Sequence, residues 1–420
     1  MTDGHSMPDL LLVLAAILVT AKLLGALAQR IGQPAVLGEL VAGVLLGGSV
    51  FGLLDPADPV IYALSELGVI VLLFEIGLHT DLRSMAKVFG AATTVAMVGV
   101  ILPLVLGYTV VVGILGLDRI PALVCAAALT ATSIGISARV LADLGLLNSA
   151  EGQVVLGAAI LDDVIGLIVL SVVTGIVTGG SWSVAGIVVA TVISIGFVVL
   201  ALTAGRLLAR PIFRSLEEIK APGTLAAMAL AFALLLSSIA ARSGSAMILG
   251  AFAAGMILNT TAARAEIERA TTSIGHFLVP IFFTSVGAAV KISAFGESAT
   301  LAVAGLLIIA GVVGKYVAGY APWWFRGNKP LIGVAMIPRG EVGLIFAQTG
   351  LATQAITPSL FSALTLMVLV TTFLAPPLLA RLGATTAQPT VRDDVGIDDL
   401  VVGDWQHRTP RSVPKTPESD

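Results

Sequence analysis

Leu156-Gly157-Ala158-Ala159-Ile160-Leu161-Asp162-Asp163-Val164-Ile165-Gly166 opens a stretch that runs on without another charge to Val177. Its length suits a helix that crosses a bilayer, which takes about 20 predominantly apolar residues. Two adjacent carboxylates near its middle are costly, since insertion scales place each Asp at a helix centre at about +2.5 to +3.5 kcal/mol. Ionisable residues inside spans mark ion pathways and proton relays. Consecutive helical residues point about 100° apart. One carboxylate can therefore face a water-filled cavity while the other meets a neighbouring helix. The competing reading, a loop between two shorter helices, fits the unbroken apolar flanks poorly.

Outward from this stretch, apolar runs of similar length recur from Leu10 to Leu382. Hydrophobic residues make up 57% of the 420 and charged residues 12%, with a mean hydropathy of +1.02; a soluble domain carries roughly 25% charged residues. The expectation is an all-α integral membrane protein of about thirteen transmembrane helices, at approximately 9–29, 34–51, 60–79, 86–115, 120–141, 151–178, 182–212, 221–242, 244–261, 271–292, 299–325, 329–350 and 357–382. A net charge of −3 offers no basic surface for nucleic acid. The single cysteine, Cys125, excludes an intramolecular disulfide, and His5, His79, His276 and His407 lack metal-ligand spacing. There is no P-loop pattern. Neither cofactor nor nucleotide is expected, and the chain is not read as an enzyme. The first apolar run lacks the basic flank of a signal peptide and is expected to be retained.

Lysine and arginine set the expected orientation. With the N-terminus outside, an odd number of crossings puts Arg30, Arg83, Lys87, Arg139, Arg206, Arg210, Arg214, Lys220, Arg264, Arg269, Arg326, Lys329 and Arg381 on the cytoplasmic side. Only Arg119, Arg242 and Lys291 remain outside. The C-terminus is then cytoplasmic, and the location is the inner (cytoplasmic) membrane. Residues 384–420, with Asp393-Asp394 and Asp398-Asp399, lack the apolar content to fold alone and are expected to form a disordered cytoplasmic tail.

A faint repeat organises residues 1–383. Gly38-Glu39-Leu40-Val41-Ala42-Gly43 resembles Gly250-Ala251-Phe252-Ala253-Ala254-Gly255, and Phe74-Glu75-Ile76-Gly77 matches Thr284-Ser285-Val286-Gly287, at offsets of 212 and 210 residues. Repeat one then covers about 9–178, a linker helix about 182–212, and repeat two about 221–382. Seven spans separate partners, so the halves are inverted in the membrane, which is a transporter architecture.

Further residues sit where hydrocarbon should exclude them. Lys315, mid-span, is too deep to snorkel and is expected to lose its proton or take an anionic partner, with Asp162 or Asp163 the candidates. Lys22, nearer a span end, can snorkel. Thr130-Ala131-Thr132-Ser133 is hydroxyl-rich for a midspan, and Pro338-Arg339-Gly340-Glu341 combines a helix breaker with an oppositely charged pair. These two stretches are partners under the repeat. Interrupted helices at matching positions point to a midplane site, where freed carbonyls can hold a cation. Competing readings are hydroxyls bonded within their own helix and a purely structural Arg339–Glu341 pair. Glu39 and Glu75 are read as structural.

Gln33-Pro34-Ala35-Val36-Leu37-Gly38-Glu39, Leu73-Phe74-Glu75-Ile76-Gly77-Leu78, Thr130-Ala131-Thr132-Ser133, Leu161-Asp162-Asp163 and Pro338-Arg339-Gly340-Glu341-Val342-Gly343-Leu344 together resemble the bacterial sodium/proton antiporters of the monovalent cation:proton antiporter superfamily. The resemblance runs from about residue 10 to 382. It implies a homodimer, two unwound crossing helices and an elevator-like movement of the ion-carrying core. It also implies that Asp163 binds the ion and that Asp162 pairs with Lys315; from the two broken stretches themselves, Thr130, Thr132 and Ser133 are expected at the ion site and Arg339 and Glu341 in a charge network. Electroneutral relatives carry Asn-Asp where this chain has Asp162-Asp163, and potassium-efflux relatives add a nucleotide-binding domain not expected here. Both differences favour electrogenic exchange of sodium (or lithium) for protons. Potassium/proton exchange, a sodium-coupled organic-solute symporter and a membrane enzyme using Asp162-Asp163 as an acid/base pair are the alternatives.

Overall fold

A computed structural model of the chain describes residues 7–177, 184–217, 223–243, 245–290 and 298–386, and their regular structure is helical. In chain order the helices are α1 (Met7–Arg30), α2 (Ala35–Leu46), α3 (Pro59–His79), α4 (Leu82–Lys87), α5 (Phe89–Thr109), α6 (Arg119–Ala128), α7 (Ile134–Asp143), α8 (Ala150–Val177), α9 (Val184–Glu217), α10 (Thr224–Arg242), α11 (Met247–Leu258), α12 (Arg264–Ala288), α13 (Ser298–Ala318), α14 (Lys329–Ala335), α15 (Glu341–Ala352) and α16 (Pro358–Thr386). A π-helical turn, Val110–Ile114, extends α5. Among the described residues eight helices are long and apolar enough to cross a membrane: α1, α3, α5 with its π turn, α8, α10, α12, α13 and α16. Shorter apolar helices lie at α2, α6, α11 and within α15.

Each apolar segment read from the sequence coincides with one helix or with a broken pair, but several ends differ. The fourth segment does not begin at 86; Asp81 caps a separate six-residue α4 through the backbone N–H groups of Arg83 and Ser84. The eleventh stops at Ala318 rather than 325, and exposed Trp323 and Trp324 follow it. The tenth begins at Arg264 rather than 271, because residues 264–271 are amphipathic, bury Ile267 and Thr271 and so continue the helix. The tail expected at 384–420 lies outside the described residues from 387 onward. Starts are set locally. Asp58 accepts from the N–H groups of Val60 and Ile61, with Pro59 in the first turn of α3, and Asn328 does the same for Leu331 at the head of α14.

Two bundles emerge from the packing. α1, α2, α3, α10, α11 and α12 form one, and α5, α6, α8, α13, α15 and α16 the other, with α7 and α14 in the second. α9 lies mainly against α11. Within the first bundle the helices touch backbone to backbone. A Cβ at Gly43 would meet the Thr284 carbonyl and the Gly287 Cα, and one at Gly287 would meet the Leu40 carbonyl and the Gly43 Cα. Gly77 and Gly255 meet each other in the same way, through the carbonyls of Phe252 and Phe74. The contact of Gly38 with the Leu24 carbonyl recurs as that of Gly250 with Leu236, both partners displaced by 212 residues. Small residues let membrane helices approach this closely, and dispersion then holds them. Between the bundles contact is thinner, chiefly α2 and α3 against α7 and α2 against α16.

Gly43→Ala should therefore lower stability by about 1–3 kcal/mol, the usual cost of overpacking. Gly48→Ala, whose new methyl meets nothing within 4 Å, should be near neutral. Thermal unfolding midpoints of the two purified variants in one detergent check this, and equal midpoints would contradict the backbone contact.

Candidate functional site

Each half of the sequence contributes an interrupted helix, and both lie in the second bundle. The chain leaves helical form at Leu129–Ser133, between α6 and α7, and at Met336–Gly340, between α14 and α15. Pro338 explains the second break, since it lacks an N–H and clashes with the preceding turn. The hydroxyl-rich first break has no proline, and its residues are held by partners from the second. The Ser133 N–H donates to the Pro338 carbonyl at 2.8 Å. Ser137 donates to the Ala335 carbonyl, and the Thr132 hydroxyl reaches toward the Met336 carbonyl at 3.5 Å.

Arg339 completes the lacing. It is among the largest fully buried side chains, at 0% exposure. Its Nη1 donates to the Ala131 carbonyl at 2.8 Å and its Nη2 to the Gly311 carbonyl of α13 at 3.2 Å. Its own carbonyl accepts from Thr372 of α16 at 2.6 Å. One guanidinium thus ties the first break to α13 while sitting in the second. Guanidinium forks suit this work because they carry five fixed donors and a delocalised charge that is comparatively cheap to bury. The side chain of Glu341 lies outside the described residues.

Asp162 and Asp163 occupy α8 beside this crossing. Lys315 Nζ lies 3.1 Å and 3.2 Å from the two carboxylate oxygens of Asp162. Exposures of 0% for Lys315 and 1% for Asp162 leave no path by which the ammonium could snorkel. Its stem runs over Gly99 of α5, where a Cβ would sit 3.5 Å from Lys315 Cδ and Nζ. That is ordinary van der Waals distance, so the stem packs directly against this face of α5.

Asp163 faces elsewhere. It lines a cavity of about 50 Å³ with Thr132, Ser133, Gly340, Phe282 and Val286. A water needs on the order of 10–15 Å³ by such a measure, so the space suits a few waters or a partly hydrated monovalent cation. Thr130 is not on this lining; its hydroxyl is spent on the Ala127 carbonyl at 2.8 Å, closing the end of α6. Asp163, Thr132 and Ser133 are therefore brought together, Asp162, Lys315 and Arg339 stand behind them, and Thr130 is directed away. Sequence reading missed the partners of Arg339, Gly311 and Thr372. The adjacent hydroxyls Thr371-Thr372 in an apolar span were the available signal.

Larger cavities flank the site. Towards the N-terminal end of α3, one of about 190 Å³ holds Tyr62, Ser65, Glu66, Ser285, Arg339 and Gly340. Beyond it lies another of about 690 Å³ that includes Asp55 and Gln348. Towards the C-terminal end of α3, a cavity of about 310 Å³ is lined by Glu75, His79, Arg139 and Asp143, with His79 Nε2 2.9 Å from Glu268 Oε1. Glu75, read from the sequence as structural, stands on that wall.

With this geometry in hand, three comparisons bear on the chain. The family model described as sodium/hydrogen exchanger, transmembrane, matches residues 15–384. Among curated proteins, the chain is 41% identical to the high-affinity Na(+)/H(+) antiporter NhaS3 of Synechocystis sp., over 87% of this chain and 88% of that one. It is 31% identical to the Na(+)/H(+)-K(+) antiporter GerN of Bacillus cereus, over 87% of this chain and 94% of that one. Among solved structures, the sodium proton antiporter MjNhaP1 of Methanocaldococcus jannaschii superposes with a TM-score of 0.70 at 15% identity, covering 91% of this chain and 99% of that one; that likeness concerns the fold.

The buried pair gives a test of its own. Lys315→Met strands the Asp162 carboxylate and should cost about 3–5 kcal/mol, whereas Lys315→Met combined with Asp162→Leu removes both charges and should recover most of it. Thermal unfolding midpoints decide: a double variant no more stable than the single one means that the pair is not the source of the loss.

Proposed function

This chain belongs to the sodium/hydrogen exchanger family, and on that premise we propose that it exchanges sodium or lithium for protons across the inner membrane, with Asp163 as the carboxylate for which cation and proton compete. The observation that carries this reading is the position of Asp163, on a small cavity at the crossing of two broken helices, while Asp162 is engaged by Lys315. A hard monovalent cation takes oxygen ligands, and this wall offers a carboxylate, the Thr132 and Ser133 hydroxyls and unwound backbone. An ionised carboxylate is expensive to carry across an apolar barrier, whereas one neutralised by a proton or a cation is not. Occupancy by one excludes the other, so the two fluxes are coupled without a nucleotide or a resident cofactor; the cation is cargo.

The thin seam between the two bundles supports an elevator-like cycle, in which the bundle holding α8 and the crossing slides against the bundle holding α2, α3, α11 and α12. The twice-occurring glycine contacts support two inverted repeats, about 9–178 and 221–382, joined by a linker helix at about 182–212. The excess of Lys and Arg on one side supports an outside N-terminus and a cytoplasmic C-terminus. A homodimer is proposed by family resemblance. Potassium is the second cation to test, because the printed name of the Bacillus cereus relative includes it. Family membership favours transport over an acid/base membrane enzyme, and exchange over solute symport.

Three titratable groups serve one cation. If Lys315 and Asp162 separate when sodium binds, the proton released with theirs accompanies that of Asp163, giving about two protons per cation and one net charge per cycle. Such a charge feels about 2.3 kcal/mol per 100 mV.

In proteoliposomes, Asp163→Asn should abolish sodium-driven proton flux while the protein inserts and folds normally. Flux close to parental would overturn the role of Asp163. In the parent, an inside-negative potential should favour proton uptake and cation exit; voltage-indifferent exchange would favour one-for-one stoichiometry through Asp163 alone.

A further inference from the structure

We infer that Glu66 is a cation way station on one side only, through which ions reach Asp163 from the N-terminal face of α3. This deepens the exchange reading above and rests on it. Three cavities form a chain from that face to the site. The outermost shares Pro56, Ala289, Val290, Leu344 and Thr365 with the middle one. The middle one shares Phe282, Val286 and Gly340 with the cavity of Asp163.

The wall of the middle cavity is largely apolar, including Phe282, Val286, Leu344 and Phe373, and two of its side chains carry charge. One is Arg339, fully buried, with guanidinium donors given to the Ala131 and Gly311 carbonyls. The other is Glu66. It is half-buried and stands one turn after Tyr62 on α3, which lines the same cavity. A cation losing water in an apolar passage gains most from an anionic oxygen partway along, and a half-buried carboxylate is screened less than a surface one. The cavity at the other end of α3 differs in kind. Glu75 and Asp143 stand there with Arg139 and His79, so acid and base are mixed and Glu66 takes no part.

A group that lies on the path but outside the final site alters how fast the ion arrives and leaves, in equal proportion. It cannot change the exchange equilibrium or the turnover at saturating cation. Its loss slows capture at one face alone, and the apparent KM at that face rises because cation carried across before it dissociates makes KM follow the arrival rate.

The experiment uses proteoliposomes in which the protein has one known orientation, with proton flux driven by sodium added at either face. For Glu66→Gln, the apparent KM at the α3 N-terminal face should rise about three- to tenfold, with maximal rate and opposite-face KM within twofold of parental. Glu66→Asp should restore most of the loss. Adding choline chloride should raise the parental KM at that face and leave that of Glu66→Gln nearly flat, since salt screens the attraction. An unchanged KM, or a rise of equal size at both faces, overturns the assignment; the latter marks a structural role. A parent with no cation-driven flux at all sinks the exchange reading and this one together, whereas an active parent with a face-blind Glu66→Gln sinks the role of Glu66 alone.

Discussion

Carbonyl oxygens freed by unwinding a helix inside a membrane have no water to turn to, and the architecture around the two breaks answers that constraint. Each unpaired backbone group in hydrocarbon costs several kcal/mol. Here the Ala131 carbonyl takes an Arg339 N–H, the Pro338 carbonyl takes the backbone N–H of Ser133, the Ala335 carbonyl takes the Ser137 hydroxyl, and the Arg339 carbonyl takes the Thr372 hydroxyl. The breaks satisfy each other. Neither would be stable alone, which is why they occur as a crossing pair and why α13 and α16 are drawn in against them.

The charges follow from the same arrangement. Arg339, committed to holding two strands of backbone, brings a fixed positive charge into the interior, and Lys315 brings a second. Asp162 answers one of them at 3.1 Å. With that acid engaged, its neighbour on α8 can be given over to the cavity. Adjacent residues on one helix thus divide the labour of structure and cargo because 100° of rotation separates their side chains.

Much of this was legible in the sequence for a simple reason: a membrane interior makes every polar residue conspicuous. Asp162, Asp163, Lys315 and Arg339 stood out as charges in apolar runs, and Pro338 announced its break. What the sequence did not disclose was partnership. Nothing local tells which carbonyls Arg339 will take, since both lie far along the chain, nor that Thr130 turns to its own helix while Thr132 does not. Glu66, near the start of α3, drew no reading from the sequence; only the cavity beside it distinguishes it. The helix ends at Ala318 and Arg264 differ from the sequence reading because hydropathy alone does not decide between coil and helix, either at the exposed Trp323 and Trp324 or in the amphipathic turn after Arg264.

The glycine-to-glycine crossings of the first bundle carry a consequence for how such a chain can diverge. Where a large side chain abuts another, growth at one position can be relieved by shrinkage at its neighbour. Gly43 meets the Thr284 carbonyl and the Cα of Gly287, and Gly77 meets the Phe252 carbonyl and the Cα of Gly255. The obstructing atoms are main chain, and the opposing residue has nothing left to give up. No second-site replacement can rescue a first one there, so these positions form a dead end for stepwise sequence drift while the lipid-facing residues around them remain free to wander.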